Sequence, residues 1–282
     1  MNTTEQLIGL PDGSQISVIE QGTQQGTPVV YLHGSPGSNK DHCQHESLYR
    51  ELDIRVVSVN RPGIGKSTSK EGWNALSFAD DLKTVLDTLG IEKAAVSGFS
   101  SGGLHACAFA HQYPDRVSKL GLLASVAPFD IPELSNSRTE ASKQLHDMAR
   151  DNPDTLLEQF SGVTTTDALL KLIHSIVAPA DQKIFEQPDV AAQFLHAYTD
   201  LLPHGLKNVF NEIGMINLPW GFSPADIRAE THIWHGTADI NVPIECCEYL
   251  AEQIPTAEAH CIEGAGHYFP FVQWPQIIRT LI

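Results

Sequence analysis

Residues 93–113 read KAAVSGFSSGGLHACAFAHQY, a short apolar run that turns sharply through Gly98-Phe99-Ser100-Ser101-Gly102-Gly103 into a helix rich in small residues. A serine on a strand-to-helix turn with glycines two positions to either side is the G-x-S-x-G pattern of a nucleophile elbow. Such a turn strains its central residue, and bulk at Gly98 or Gly102 is expected to collide with the neighbouring strand or helix. The hydroxyl is then presented at a helix N-terminus, where free N–H groups and the helix dipole favour negative charge. Ser100 is therefore the candidate nucleophile. The same residues also describe an ordinary glycine-rich loop, so the rest of the chain has to supply a base and an acid.

The segments around the elbow alternate between strand and helix. Residues 6–10 and 15–20 read as strands joined by the turn Pro11-Asp12-Gly13. Buried apolar runs at 29–32 and 56–59 flank a helix at 45–52. An amphipathic helix is expected to begin at Ser77, with Phe78, Leu82, Val85, Leu86 and Leu89 on one face and Gly90 as its stop. A strand at 120–124 follows the elbow helix. Residues 128–219 then show helical periodicity alone, as in Leu169, Leu170, Ile173 and Ile176. The alternation resumes with a strand at 231–234, a helix at 243–253, a strand at 259–262 and a terminal helix after Tyr268. This pattern predicts an α/β fold: a mostly parallel twisted sheet with helices on both faces. It divides the chain into a core of 1–127 plus 220–282 and a helical cap insertion of 128–219.

Composition narrows the partners. Against 34 Asp and Glu the chain has 18 Lys and Arg, a formal net charge of −16 that repels phosphate backbones and anionic lipid, so neither nucleic acid nor a membrane is an expected partner. The N-terminus has no basic region followed by an apolar stretch, and a cytoplasmic location is the default expectation. The five cysteines (Cys43, Cys107, Cys246, Cys247, Cys261) show no framework spacing and read as free thiols.

In parallel sheets, ligands bind at the C-terminal ends of the strands. Those ends carry His33-Gly34-Ser35-Pro36-Gly37, Arg61-Pro62-Gly63, Ser100, His235-Gly236-Thr237-Ala238-Asp239 and Gly264-Ala265-Gly266-His267. A serine hydroxyl needs a base within hydrogen-bond reach, and the base needs an orienting acid. His267, in a loop of small residues after the last strand, is the candidate base. Asp239, after the preceding strand, is the candidate acid; Glu263, Asp226 and Asp130 are alternatives less suited to orienting the ring. His42, Cys43 and His45 lie close together in sequence, but no cluster completes a metal site.

The ordered motifs HGSPG, GFSSG, HGTAD and GAGH, with RPGIGKS after the second buried run, resemble the α/β-hydrolase superfamily over nearly the whole chain. HGSPGS and SGFSSGG are most similar to small bacterial serine esterases and proline iminopeptidases. The resemblance implies an α/β-hydrolase fold, the nucleophile–acid–base order Ser100, Asp239, His267, and an oxyanion hole formed by the backbone N–H groups of Ser35 and Ser101. It implies a serine hydrolase that cleaves a small-molecule carboxylic ester through an acyl-enzyme, with no metal and no organic cofactor. His33 and Arg61 are expected to brace loops. The alternatives are an aminopeptidase, for which Glu133, Glu140 and Asp147 could hold an amino group, a C–C hydrolase or perhydrolase, and a non-catalytic binding member of the fold. The apolar residues Leu156, Leu157, Phe160, Phe194 and Tyr198 could line a pocket, although packing is the expected role of most. The expected partner is a small-molecule substrate, and the sequence sets no oligomeric state.

Overall fold

A computed structural model describes residues 4–41, 45–203 and 206–282. The chain runs β1 (Thr4–Gly9), β2 (Gln15–Gly22), β3 (Thr27–Leu32), α1 (Glu46–Glu51), β4 (Ile54–Val59), α2 (Ala75–Thr88), β5 (Ala94–Phe99), α3 (Gly102–Gln112) and β6 (Val117–Leu123). Helices α4 (Pro132–Ser137), α5 (Glu140–Asp151), α6 (Pro153–Gln159), α7 (Thr166–Ile176), α8 (Pro179–Phe185), α9 (Pro188–Tyr198) and α10 (Lys207–Met215) follow without a strand among the described residues. The sheet resumes with β7 (Glu230–Gly236), α11 (Ile244–Gln253), β8 (Ala257–Ile262) and α12 (Pro270–Leu281).

The eight strands form one sheet in the order β1-β2-β4-β3-β5-β6-β7-β8. The pairs β1–β2 and β2–β4 are antiparallel, and from β4 through β8 all neighbours are parallel. The two-residue period of a strand sends alternate side chains to opposite faces. On β3, Val30 and Leu32 join a core built with α2, α3 and α11, whereas Val29 and Tyr31 join a second core with α12 and residues of the inserted helices. Both faces of the sheet are thus covered, as the near-continuous apolar runs require.

Several element starts differ from the sequence reading. Helix α2 starts at Ala75, not Ser77: the Asn74 side chain accepts from the Ser77 N–H at 2.9 Å and the Asn74 N–H is bonded by Ser77 Oγ at 2.9 Å, a reciprocal cap worth about 1 kcal/mol. Strands β3, β4 and β6 begin two to three residues earlier than their apolar runs, because Thr27, Ile54 and Val117 pair through backbone groups whatever their side chains. No helix among the described residues is long and apolar enough to cross a membrane.

Candidate active site

The elbow is the turn between β5 and α3. Ser100 has φ of 54°, a left-handed conformation that costs a non-glycine residue about 1–2 kcal/mol. The surroundings hold it there. Its N–H donates to the Leu123 carbonyl at 2.9 Å, and its carbonyl accepts from Gly103 at 3.0 Å and Val126 at 3.2 Å. A Cβ at Gly98 would overlap the Gly102 carbonyl, and one at Gly102 would overlap the carbonyls of Leu32 and His33 at the end of β3. The third glycine, Gly103, has the same constraint from the Ser125 side chain.

The loops after β7 and β8 bring Asp239 to His267. His267 Nδ1 lies 2.6 Å from Asp239 Oδ2, with both side chains buried. Asp239 Oδ1 accepts the N–H groups of Asn241 at 2.8 Å and Val242 at 2.9 Å, which fixes the carboxylate and turns its other oxygen to the ring. The proton therefore sits on Nδ1, and Nε2 keeps its lone pair for a proton from substrate or nucleophile. Burial alone would lower the His267 pKa. The charge and hydrogen bond of Asp239, with a further contribution from Asp181, outweigh burial and hold it above the ordinary imidazole value. Ser100 and His267 line the same cavity, and Asp239 stands behind the imidazole. Among the alternative acids, Glu263 and Asp130 are exposed, and Asp226 is engaged with His111 at 3.8 Å.

The loop after β3 passes over the elbow. A Cβ on Gly34 would come within 2.8 Å of the Phe99 ring and 3.3 Å of the Ser100 Cβ, so a glycine is what lets the loop pass this close to the elbow, and Ser35 follows it into the cavity wall. Beneath this loop, Arg61 donates to the carbonyls of His33 at 2.6 Å and Gly34 at 2.9 Å. The buried His33 ring lies 2.8 Å from the Gly34 carbonyl through Nδ1. Burial first, then the Arg61 charge, lowers its pKa well below the ordinary range, so it is a neutral brace. His235 is also buried, with Nε2 bonded to the Val242 carbonyl at 2.9 Å.

Two carboxylates that the sequence reading did not single out complete the surroundings. Glu212, on α10, pairs with Arg61 at 2.6 Å and accepts from Ser101 Oγ at 2.9 Å. Burial pushes its pKa up, but Arg61, with His105 and His33, more than reverses this and holds it below the usual carboxylate range. Asp181, on α8, accepts the N–H of His267 at 2.8 Å and of Tyr268 at 2.7 Å. The single sign of Glu212 in the sequence is an acid among the apolar positions of VFNEIGM, and Asp181 has none.

The cavity has a volume of about 370 Å³. Ser35, Ser100 and His267 form its floor, and the inserted helices supply walls such as Phe160, Leu172, Ile173, Val209, Phe210 and Ile213. Ile176 and Ile240 also line it while 57% and 43% exposed, which makes an apolar mouth. Its polar side chains beyond the floor are Thr139, Ser142, His146, Asn241 and Tyr268; no Lys, Arg, Asp or Glu lines it among the described residues. Burial, with the charge of Arg138, lowers the His146 pKa to about 3, so this imidazole is neutral too. Glu133, Glu140 and Asp147 are not among the lining residues. Of the apolar residues singled out in the sequence, Phe160 lines the cavity, while Leu156, Phe194 and Tyr198 are buried in the second core and Leu157 packs against it. His42 and Cys43 lie outside the described residues.

Residues 27–273 match the model of the alpha/beta hydrolase fold family. A 2-hydroxy-6-oxononadienedioate/2-hydroxy-6-oxononatrienedioate hydrolase of Paraburkholderia phymatum is 30% identical over 285 residues, covering 98% of this chain and 92% of that protein. A 2-hydroxymuconate semialdehyde hydrolase of Pseudomonas putida is 26% identical over 92% of this chain and 86% of that protein. Among solved structures, a thermophilic esterase of Thermogutta terrifontis superposes with a TM-score of 0.70 at 26% identity, covering 98% of this chain and 97% of that one.

Proposed function

The chain belongs to the alpha/beta hydrolase fold family and is a hydrolase; from that premise we propose that it cleaves neutral carboxylic esters with an apolar acyl or alcohol part, through a serine acyl-enzyme. In this reading 1–127 and 220–282 are the catalytic core and 128–219 is a cap that roofs the cavity. His267 Nε2 takes the Ser100 proton as Oγ attacks the ester carbonyl. Asp239 holds the tautomer and stabilises the imidazolium that forms. The Ser35 and Ser101 N–H groups receive the oxyanion, each worth about 3–4 kcal/mol in such a site. His267 then protonates the leaving alcohol, and water repeats the sequence to release the acid.

The observation that carries the ester reading is the wall of the cavity. It combines about 370 Å³ of space and apolar helices with no cation among the described lining residues. A substrate carboxylate placed there would lose its hydration without a partner, at a cost of several kcal/mol. The Paraburkholderia relative is named for a dioate, a doubly charged substrate. Its similarity over nearly the full chain is the reason to keep C–C bond hydrolysis as the second reading, since the same serine, histidine and aspartate serve either bond. An aminopeptidase reading finds no carboxylate in the cavity to hold an ammonium group.

The test compares p-nitrophenyl hexanoate with mono-p-nitrophenyl adipate, which has the same chain length and a terminal carboxylate. The neutral ester is expected to have a kcat/KM on the order of 10²-fold higher. Equal rates, or a preference for the charged ester, would remove the basis for the neutral-ester reading and favour the second.

A further inference from the structure

Asp181 is fully buried on α8, a helix of the segment inserted between β6 and β7, yet it touches the loop that carries His267. Its two carboxylate oxygens are divided between successive backbone donors: Oδ2 accepts the His267 N–H at 2.8 Å and Oδ1 accepts the Tyr268 N–H at 2.7 Å. Gly266 makes this approach possible, because a Cβ there would overlap all three atoms of the carboxylate group. The same contact is reinforced by rings. Phe185, on the same helix, packs edge-on against Tyr268 with centroids 4.7 Å apart, and Phe194 of α9 does so at 5.3 Å.

We propose that Asp181 is the positioning residue of the base: its carboxylate clamps the backbone of the His267 loop to the inserted helices, so that the cap sets the place of the imidazole. The inference rests on His267 being the base for Ser100. Three features of the geometry support it. The clamp binds the backbone of the base residue itself, so a shift of α8 is transmitted to the imidazole without an intervening side chain. Two charge-assisted bonds from one rigid planar group fix both position and direction. The ion pairs among the described residues give Asp181 no Lys or Arg partner, and the charged groups that face it are His267 and Asp239. Burial raises its pKa, and the two N–H donors and the imidazole oppose that rise. Its charge becomes better compensated when His267 takes a proton, the state that catalysis creates. Asp239 and Asp181 thus divide the support of one histidine: Asp239 orients the ring, and Asp181 holds the backbone below it. Asp181 touches no reacting atom, so its effect acts through His267.

The test measures the second-order rate of Ser100 labelling by a fluorophosphonate probe across pH, which reports the nucleophile and base without depending on which ester is the substrate. Asp181→Asn is expected to label on the order of 10²-fold more slowly, since an amide offers one acceptor and turns its NH₂ toward the second donor. Loss of the negative charge is also expected to move the acid limb of the profile to lower pH by about half a unit or more. Asp181→Glu is expected to restore the limb and part of the rate. A rate within about twofold of the parent, or an acid limb that does not move, overturns the proposal; a stability loss by itself produces neither effect. If Asp181→Asn does not fold, Gly266→Ala carries the test. It displaces the carboxylate while keeping its charge, and unchanged labelling in that variant overturns the proposal equally. Failure of the parent protein to label at Ser100 is a different result: it removes the serine-hydrolase reading on which the inference rests.

Discussion

The sheet and the inserted helices contribute to one cavity in different ways. The sheet carries the proposed triad on short loops: Ser100 after β5, Asp239 after β7 and His267 after β8. The helices α4 to α10 supply most of the apolar wall and two buried carboxylates, Asp181 and Glu212, that reach down to the loops. Glu212 holds Arg61 and with it the loop of Gly34 and Ser35, while Asp181 holds the loop of His267. The lesson is that the helical segment is more than a roof. The Gly34–Ser35 loop and the His267 loop are each tied to it by one carboxylate.

The sharpest way to break this division is at the sheet. Ser100→Ala and Asp239→Asn are each expected to lower kcat by on the order of 10⁴-fold with folding retained. Steady-state ester hydrolysis checks this, with the melting temperature as control. For the parent enzyme, kcat/KM should rise with pH through an ionisation above the ordinary imidazole value of 6.5, because His267 must lose its proton to act and the folded protein holds that proton more tightly. A limb below that value would mean that burial outweighs Asp239 and Asp181 in setting the His267 pKa.

The helix side is expected to show its effect in stability first. Glu212→Gln leaves the buried Arg61 without its counter-charge, and unfolding stability should fall by about 3–5 kcal/mol, read by chemical denaturation. The pH dependence has a definite sign. Glu212 has a folded pKa below its ordinary value, so it contributes stability that is present above the usual carboxylate range and lost as pH falls toward the folded value. The parent should therefore lose stability on acidification through that window, and Glu212→Gln should lose less.

How much of this was legible in the sequence follows the same division. Ser100, Asp239 and His267 lie at strand ends among glycines, and a glycine required by close backbone approach leaves a local trace: Gly34, Gly98 and Gly102 each sit where a Cβ would strike a neighbour. The alternation of strands was readable because apolar runs mark them, although their first residues were not, since Thr27 pairs with Ile54 through the backbone. The start of α2 was missed because the cap is Asn74, with Ser77 as its reciprocal partner. The roles of Asp181 and Glu212 were not legible, for a different reason. Their partners are 86 and 151 residues away, and an acid on a helix reads as solvated until packing buries it. The cavity wall was likewise unassignable, because helical periodicity gives the apolar face but not what it faces: Phe160 reaches the cavity while Leu156, on the same helical run, is in the core.

Two smaller effects would sharpen the comparison. Gly102→Ala forces a methyl group into the carbonyls at the end of β3 and is expected to cost about 1–3 kcal/mol of stability, measured by thermal melting. Phe210→Ala enlarges the helix-built wall and leaves the sheet loops alone. It should raise the preference for longer acyl chains by about 1–2 kcal/mol in relative kcat/KM across a p-nitrophenyl ester series, with the rate on the shortest ester little altered.

Intact-mass and peptide spectrometry after reaction with a fluorophosphonate tests the central assignment most directly. One covalent adduct on Ser100 is expected, formed by the folded protein and abolished by Ser100→Ala. An adduct on another residue, or none on a protein that still hydrolyses esters, would contradict it.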